Sequence, residues 1–120
     1  MAMVLEDAPR TLHFLEAVAL RRAMLAEPHI APLVAYVADL RVRDPDWEFQ
    51  EFDPLDGGCG AYILFLLEKP GPMTSPTDKK QGSGFISRNN DDPTAENLFN
   101  FMVTAGVERK RTVLWNVIPG

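Results

Sequence analysis

The sequence predicts an α/β fold built on a parallel sheet, and three observations predict it. Residues 61–67, AYILFLL, form a continuous apolar run with glycines before it and Pro70-Gly71 after, too short for a typical helix. Residues 112–118, TVLWNVI, form a second such run, and between the two lies an amphipathic segment opened by Asp92-Pro93. The order strand, long loop, helix, strand is that of a crossover unit, which makes its two strands parallel and adjacent. An apolar run without alternation predicts a strand buried on both faces, as parallel sheets require.

The elements follow in order. A first helix is predicted from about Pro9 to Glu27, with Asp7 or Ala8 ahead of a proline suited to a first helical turn. Its apolar face is read as Leu12, Leu15, Val18, Ala19 and Leu25. Pro28 interrupts it. Pro32 begins a second helix whose apolar positions are Leu33, Val34, Val37, Ala38 and Leu40, with Arg41 and Arg43 at the end where cations complement the helix dipole. Residues 44–60 hold two Asp-Pro pairs, the turn Asp56-Gly57-Gly58 and the aromatics Trp47, Phe49 and Phe52, which predicts a loop covering the edge of the core. Residues 68–92 show no periodicity, and a loop of that length within a domain tends to be functional. In the third helix Asp92 is the predicted N-cap, Leu98, Met102 and Ala105 the apolar stripe, and Gly106 the stop. Asn89, Asn90 and Asp91 read as turn residues ahead of that cap.

Two strands and three helices do not complete an open sheet. The expectation is therefore a single domain over residues 1–120, truncated at its C-terminus, with a helical part over 1–60 and the strand-loop-helix-strand unit over 61–120.

Composition bounds the function. The chain has 120 residues, 46% apolar and 24% charged, and its longest apolar run is far shorter than the roughly 20 residues of a membrane span. Glu6 and Asp7 stand where a signal peptide carries positive charge, so the expected location is cytoplasmic, with no membrane partner. One cysteine, Cys59, allows no internal disulfide and cannot supply a thiolate metal site or an iron-sulfur cluster. His13 and His29 match no metal spacing, so no metal is expected. Charge is uneven: residues 1–60 hold 11 acidic and 5 basic side chains, residues 61–120 hold 6 and 7. An anionic partner would meet the second half, where Lys69, Lys79, Lys80 and Arg88 cluster; the Arg109-Lys110-Arg111 run reads as solvated surface or as a second basic point.

In open parallel sheets ligands bind beyond the carboxyl ends of the strands. Those ends are Glu68-Lys69-Pro70-Gly71 and Asn116-Val117-Ile118-Pro119-Gly120, so Glu68 and Asn116 are expected to converge on a pocket roofed by the long loop and its aromatic residue Phe85.

The order of these features resembles the uracil-DNA glycosylase superfamily. Leu67-Glu68-Lys69-Pro70-Gly71-Pro72, after a hydrophobic strand, is similar to that superfamily's first motif, Gly-Glu-Ala-Pro-Gly in one branch and Gly-Xaa-Asn-Pro-Gly in others. Residues 82–87, GSGFIS, are similar to the loop that carries a base-stacking phenylalanine. Trp115-Asn116-Val117-Ile118-Pro119 resembles the strand ending in the asparagine that reads the uracil edge. The resemblance spans about 60 residues. It implies a three-layer α/β/α arrangement and hydrolysis of the N-glycosidic bond of a flipped-out uracil or other deaminated base, as in base excision repair. The implied partner is DNA containing uracil or another damaged base, and the implied protein is a monomer that needs no cofactor.

The chemistry suits these residue types. A flipped base is held between an aromatic face and a group matched to its Watson–Crick edge. Phe85 would be the face, and Asn116, whose amide offers a donor and an acceptor, would pair with uracil O4 and N3–H. Glu68 would be the catalytic carboxylate, stabilising the oxocarbenium-like sugar or orienting water, with Pro70 and Gly71 shaping the loop. Departures are also present: Leu67 stands where most members have glycine, and Lys69 where several place a water-activating Asp or Asn. The His-Pro-Ser motif does not occur in the 120 residues.

Each residue has another reading. Glu68 could be an exposed strand-end carboxylate, Phe85 a loop anchor in the core, and Asn116 a partner of loop backbone. The alternative function is a non-catalytic nucleic-acid or nucleotide binding module in which Lys69, Lys79 and Lys80 contact phosphates, or an inactive truncated fragment.

Overall fold

Residues 7–68 and 83–116 are described in the computed structural model of the chain. They form a mixed α/β domain with small parallel sheets. Three α-helices are present among them: α1 (Leu15–Ala23), α2 (Ala31–Arg43) and α3 (Pro93–Thr104). The strands are β1 (Glu51–Phe52), β2 (Ile63–Leu67), β3 (Phe85–Ile86) and β4 (Thr112–Asn116).

The crossover reading holds in its main point. β2 and β4 pair in parallel, with Ile63 opposite Thr112 and Leu67 opposite Asn116, and α3 lies between them in sequence. That helix starts as its residues dictate. Asp92 is extended and its Oδ1 accepts a hydrogen bond from the Ala95 amide at 2.8 Å, while Pro93 takes the first turn, where no amide hydrogen is needed. Gly106, at φ 71°, provides the left-handed backbone that ends it.

The first predicted helix is broken. Arg10 has φ 62°, a short 3-10 turn covers Thr11–His13, and Phe14 is extended before α1 begins. The cause is a long-range bond: the Leu12 amide donates to the Asn89 carbonyl at 3.0 Å, which takes the chain off the helical path. The buried face of α1 also differs from the apolar stripe. Leu15 and Ala19 are exposed, while Ala17 and Arg21, one turn apart, are buried. A guanidinium on the inner face means that polar packing, not apolar area, orients this helix. In α2 the inner face is Val37 and Leu40 with Leu33 and Val34 packed alongside, and Ala38 is exposed.

Residues 44–60 are more than a loop. Glu51 and Phe52 pair in parallel with Phe85 and Ile86, a second small sheet of two-residue strands. Phe49 and Phe52 are core residues, and Phe52 stacks on Trp115 at 3.9 Å between ring centroids. Trp47 is exposed and stacks on Phe49.

The main core gathers Ile30, Val37, Leu40, Phe49, Phe52, Ile86, Leu114 and Trp115. A second, smaller cluster holds Leu12, Ala17 and Phe85. β2 corrects the expectation of a strand buried on both faces. Ile63, Leu64 and Leu66 are 41%, 53% and 55% exposed, because β4 is the only described strand beside it.

One close approach positions β4. The Gly57 amide donates to the Thr112 carbonyl at 2.9 Å, and a Cβ on Gly57 would stand 2.0 Å from the Lys110 carbonyl oxygen. Backbone cannot yield as a side chain can. Gly57→Ala is therefore expected to destabilise the fold by about 3 kcal/mol, measured by urea unfolding. Gly60→Ala, where a Cβ meets nothing within 4 Å, is the matched control and should cost far less.

Candidate functional site

Two groups of polar side chains stand at the carboxyl ends of the two parallel pairs. The first follows β1 and β3. Asp53 comes directly after β1, and Ser87, Arg88 and Asn89 come directly after β3, so the pairing of the two short strands brings them together. Asp53 is fully buried. Its Oδ2 accepts from Arg21 Nη1 at 2.7 Å, from Arg109 Nη2 at 2.6 Å and from the Ser87 hydroxyl, and its Oδ1 accepts from the Leu55 amide at 2.9 Å. Arg109 is shared among several acceptors. Its Nε donates to Asp56 Oδ1 at 2.7 Å, and its Nη1 donates to Asp7 Oδ1 at 2.6 Å and to Asn89 Oδ1 at 2.7 Å. Arg88 also pairs with Asp7 and lies over the Phe99 ring at 4.6 Å.

Three aspartates and three arginines thus tie the N-terminal segment, α1, both short-strand ends and the turn before β4 into one network. Burial alone would raise the pKa of Asp53, but the guanidinium groups of Arg109 and Arg21 outweigh it and hold the carboxyl below its ordinary value. Asp7 likewise is lowered: burial opposes its charge, and the bond from Arg88 and the field of Arg109 prevail. Asp56 behaves differently. Burial dominates, the neighbouring Asp53 adds to it, and Arg109 compensates only in part, so its pKa is pushed up to about 7. Its Oδ2 has no hydrogen-bond partner among the described residues. Burial lowers the pKa of Arg21, whereas for Arg109 the three carboxylates outweigh burial and raise it.

This network corrects the reading of two arginines. Arg109 belongs to the core rather than to a solvated basic run, since only Lys110 and Arg111 of that run are exposed, and Arg88, read as part of a basic cluster, is buried against Asp7. Asn89 and Asn90 lie in the turn expected ahead of the cap and are buried as well: Asn90 accepts from the Ser83 hydroxyl at 2.6 Å and donates to the Phe85 carbonyl at 2.9 Å. Asp53 and Asp56 were legible only as turn residues, because nothing near them in sequence marks their arginine partners.

The second group stands at the carboxyl ends of β2 and β4. Asn116 is the last residue of β4 and is 2% exposed, on the strand that carries the buried Thr112 and Leu114. Among the described residues neither its Oδ1 nor its Nδ2 has a hydrogen-bond partner. A buried carboxamide left in that state costs free energy on both atoms, so it is suited to a ligand that offers a donor and an acceptor side by side. Leu67 pairs with Asn116, and Glu68 follows it at the surface, exposed. The two residues read from the sequence as converging are therefore neighbours along the sheet end, one buried and one in solvent.

Phe85 is fully buried against Leu12 and Ala17, with the Arg22 guanidinium 5.5 Å from its ring centroid. The Ser83 hydroxyl accepts from the Phe85 amide at 3.1 Å. The adjacent Gly84 has φ 83°, and a Cβ there would stand 2.5 Å from Arg22 Nη2. Lys69, Pro70, Gly71, Lys79 and Lys80 lie outside the described residues.

Cys59 is exposed and free. His29 Nε2–H donates to the Pro54 carbonyl at 2.6 Å. Among the described residues no group of His, Cys, Asp or Glu is arranged to hold a metal ion, and no helix is long and apolar enough to cross a membrane. No family model, curated protein or solved structure matches the chain.

Proposed function

We propose that this chain is a uracil-DNA glycosylase-like module that binds a base extruded from DNA and hydrolyses its N-glycosidic bond. The observation that carries the reading is Asn116, a buried carboxamide at the carboxyl end of a parallel strand pair with both polar atoms unpartnered among the described residues. In this reading the chain is part of a three-layer α/β/α domain, the arrangement its motifs resemble.

Asn116 would accept from N3–H and donate to O4 of uracil, an edge that cytosine does not offer in the same pattern. Phe85 would supply the stacking face. In the fold its ring is buried with Leu12 and Ala17 under the Arg22 guanidinium, so stacking on a base requires the exposed Arg22 to move aside. Glu68 would face the sugar. As the C1′–N1 bond breaks, its electron pair leaves with the base and positive charge builds on the sugar, which a carboxylate stabilises. Water then bonds to C1′, and the proton it loses passes through solvent to the departing uracil anion.

The test is release of uracil from a single-stranded oligonucleotide carrying one deoxyuridine. Wild-type protein is expected to release the base, and Asn116→Asp to lower the rate about a hundredfold or more, since its carboxylate cannot donate to O4. Equal release by both proteins would remove Asn116 from the reading.

One observation favours a second reading, binding without hydrolysis. Glu68 is exposed rather than held in a water-excluded site. Salt-sensitive binding of the oligonucleotide with no release of base would select it.

A further inference from the structure

We propose that Arg88, Asn89 and Arg109 form a binding site for a phosphate group, and that Asp7 of the chain's own N-terminal segment closes it as a displaceable stand-in. The site is separate from Asn116 and independent of the glycosylase reading. Arg88 and Asn89 follow β3 at the carboxyl end of its parallel pairing with β1, the end at which open parallel sheets take their ligands. The donors are built in: the side chains of Arg88 and Arg109 are 7% and 8% exposed, and Asn89 is fully buried. The acceptor is not. Asp7 is 32% exposed and comes from a segment 81 residues from Arg88 in sequence. Among the described residues Arg88 pairs with no other carboxylate, and it otherwise meets the Phe99 ring and Met102 Sδ.

The donor arrangement fits a phosphate better than the carboxylate that fills it. Asp7 Oδ1 accepts three bonds, from Arg88 Nε at 3.2 Å, Asn89 Nδ2 at 2.8 Å and Arg109 Nη1 at 2.6 Å, while Oδ2 accepts one, from Arg88 Nη2. A carboxylate oxygen offers two lone-pair sites, so Oδ1 is overloaded. A phosphate monoester spreads the same donors over three oxygens, and the flat fork of Arg88 matches a phosphate edge as well as it matches a carboxylate. The charge agrees. Asp56 is pushed up to about 7, so just below neutrality Arg21, Arg88 and Arg109 face two ionised aspartates, and a group carrying more than one negative charge balances them better than Asp7 does. The stand-in is also lightly tethered. Arg10 holds a left-handed backbone at φ 62°, and its bonds to Asp91 and Glu96 are partly exposed, where ion pairs add little. Residues 7–10 can therefore leave while Leu12 keeps its place beside Ala17 and Phe85.

The experiment titrates inorganic phosphate, at an ionic strength held constant with sodium chloride, into the full chain and two variants. In the wild type the Ala8 and Arg10 amide resonances are expected to move towards their unfolded positions as phosphate displaces Asp7, with the β4 resonances unmoved. Asp7→Ala opens the site and leaves Arg88 unpaired, so its urea midpoint is expected to fall and then to rise saturably with phosphate. Half of that rise is expected at about a tenth of the phosphate that the wild-type shift requires, because no stand-in competes. Asp7→Ala with Arg88→Met removes both charges, and is expected to be more stable than Asp7→Ala alone and indifferent to phosphate. That pair of variants separates a bound ion from the stabilisation that phosphate gives to folds in general. A 5′-phosphorylated oligonucleotide acting at lower concentration than inorganic phosphate, with the unphosphorylated strand inert, identifies a nucleic-acid end as the source; action by inorganic phosphate alone identifies a small phosphate. Wild-type Ala8 and Arg10 resonances that phosphate leaves in place would overturn the proposal. So would equal midpoint rises in the two variants.

Discussion

Arg109→Met is expected to destabilise the fold by about 3–5 kcal/mol, a large share of the roughly 5–15 kcal/mol by which an ordinary domain is stable. The guanidinium serves Asp53, Asp56, Asp7 and Asn89 together. Removing it leaves two fully buried carboxylates facing each other, one with only Arg21 and Ser87 as polar side-chain partners and one with none among the described residues. Desolvated charge without a partner is the costly outcome, more than the loss of any one bond. Lys110→Met and Arg111→Met, at exposed positions of the same run, should each change stability by roughly 0.5 kcal/mol or less. Urea unfolding of the three variants separates a buried keystone from a basic surface patch. Comparable losses in all three would mean that the run acts through its collective charge.

Raising the pH through neutrality is expected to destabilise the protein, and Asp56→Asn to remove most of that loss. In the unfolded chain Asp56 titrates near 3.8, and in the fold it is pushed up to about 7. The folded state therefore holds a proton that the unfolded state gives up between about pH 4 and pH 7. The stabilisation is complete below about pH 4 and is lost as pH rises through about 7, an effect on the order of 2–4 kcal/mol. Asp53 and Asp7 have the opposite sign. Both are lowered, so their contribution is present above about pH 4 and is lost as pH falls below it. Stability should peak between these limits. Asn at position 56 keeps an oxygen for Arg109 Nε and has no proton to lose, so its profile should stay flat from pH 6 to 8. A wild-type profile that rises over that range would contradict the assignment to Asp56.

The elements most legible in the sequence are those whose signals are local. Asp92-Pro93 with Gly106 delimited α3, and two apolar runs flanking that helix were enough to predict that β2 and β4 are parallel. Two-residue strands carry no period, so β1 and β3 were unreadable, and with them the fact that Asp53 and Ser87 meet. Arg21 interrupts an apolar stripe and Arg109 opens a run of three cations. Each looks exposed until a carboxylate 32 or 56 residues away in sequence is brought to it. The exposure of β2 was hidden for a related reason: an apolar run states that a strand needs cover, not that the described chain provides it. At the site, Asn116 was legible from its place at a strand end and from the motif it resembles, whereas its burial without a described partner is a property of the fold.

Side-chain amide NMR reports directly on whether the Asn116 carboxamide meets a base edge. The Asn116 amide proton pair, identified by its disappearance in Asn116→Asp, would be followed while an oligonucleotide carrying one deoxyuridine is added. A shift of that pair with deoxyuridine, absent when N3-methyluracil replaces the base, is the predicted result. A pair that stays unmoved by the uracil-containing strand, or that responds equally to the N3-methylated base, would mean that Asn116 does not pair with the uracil edge.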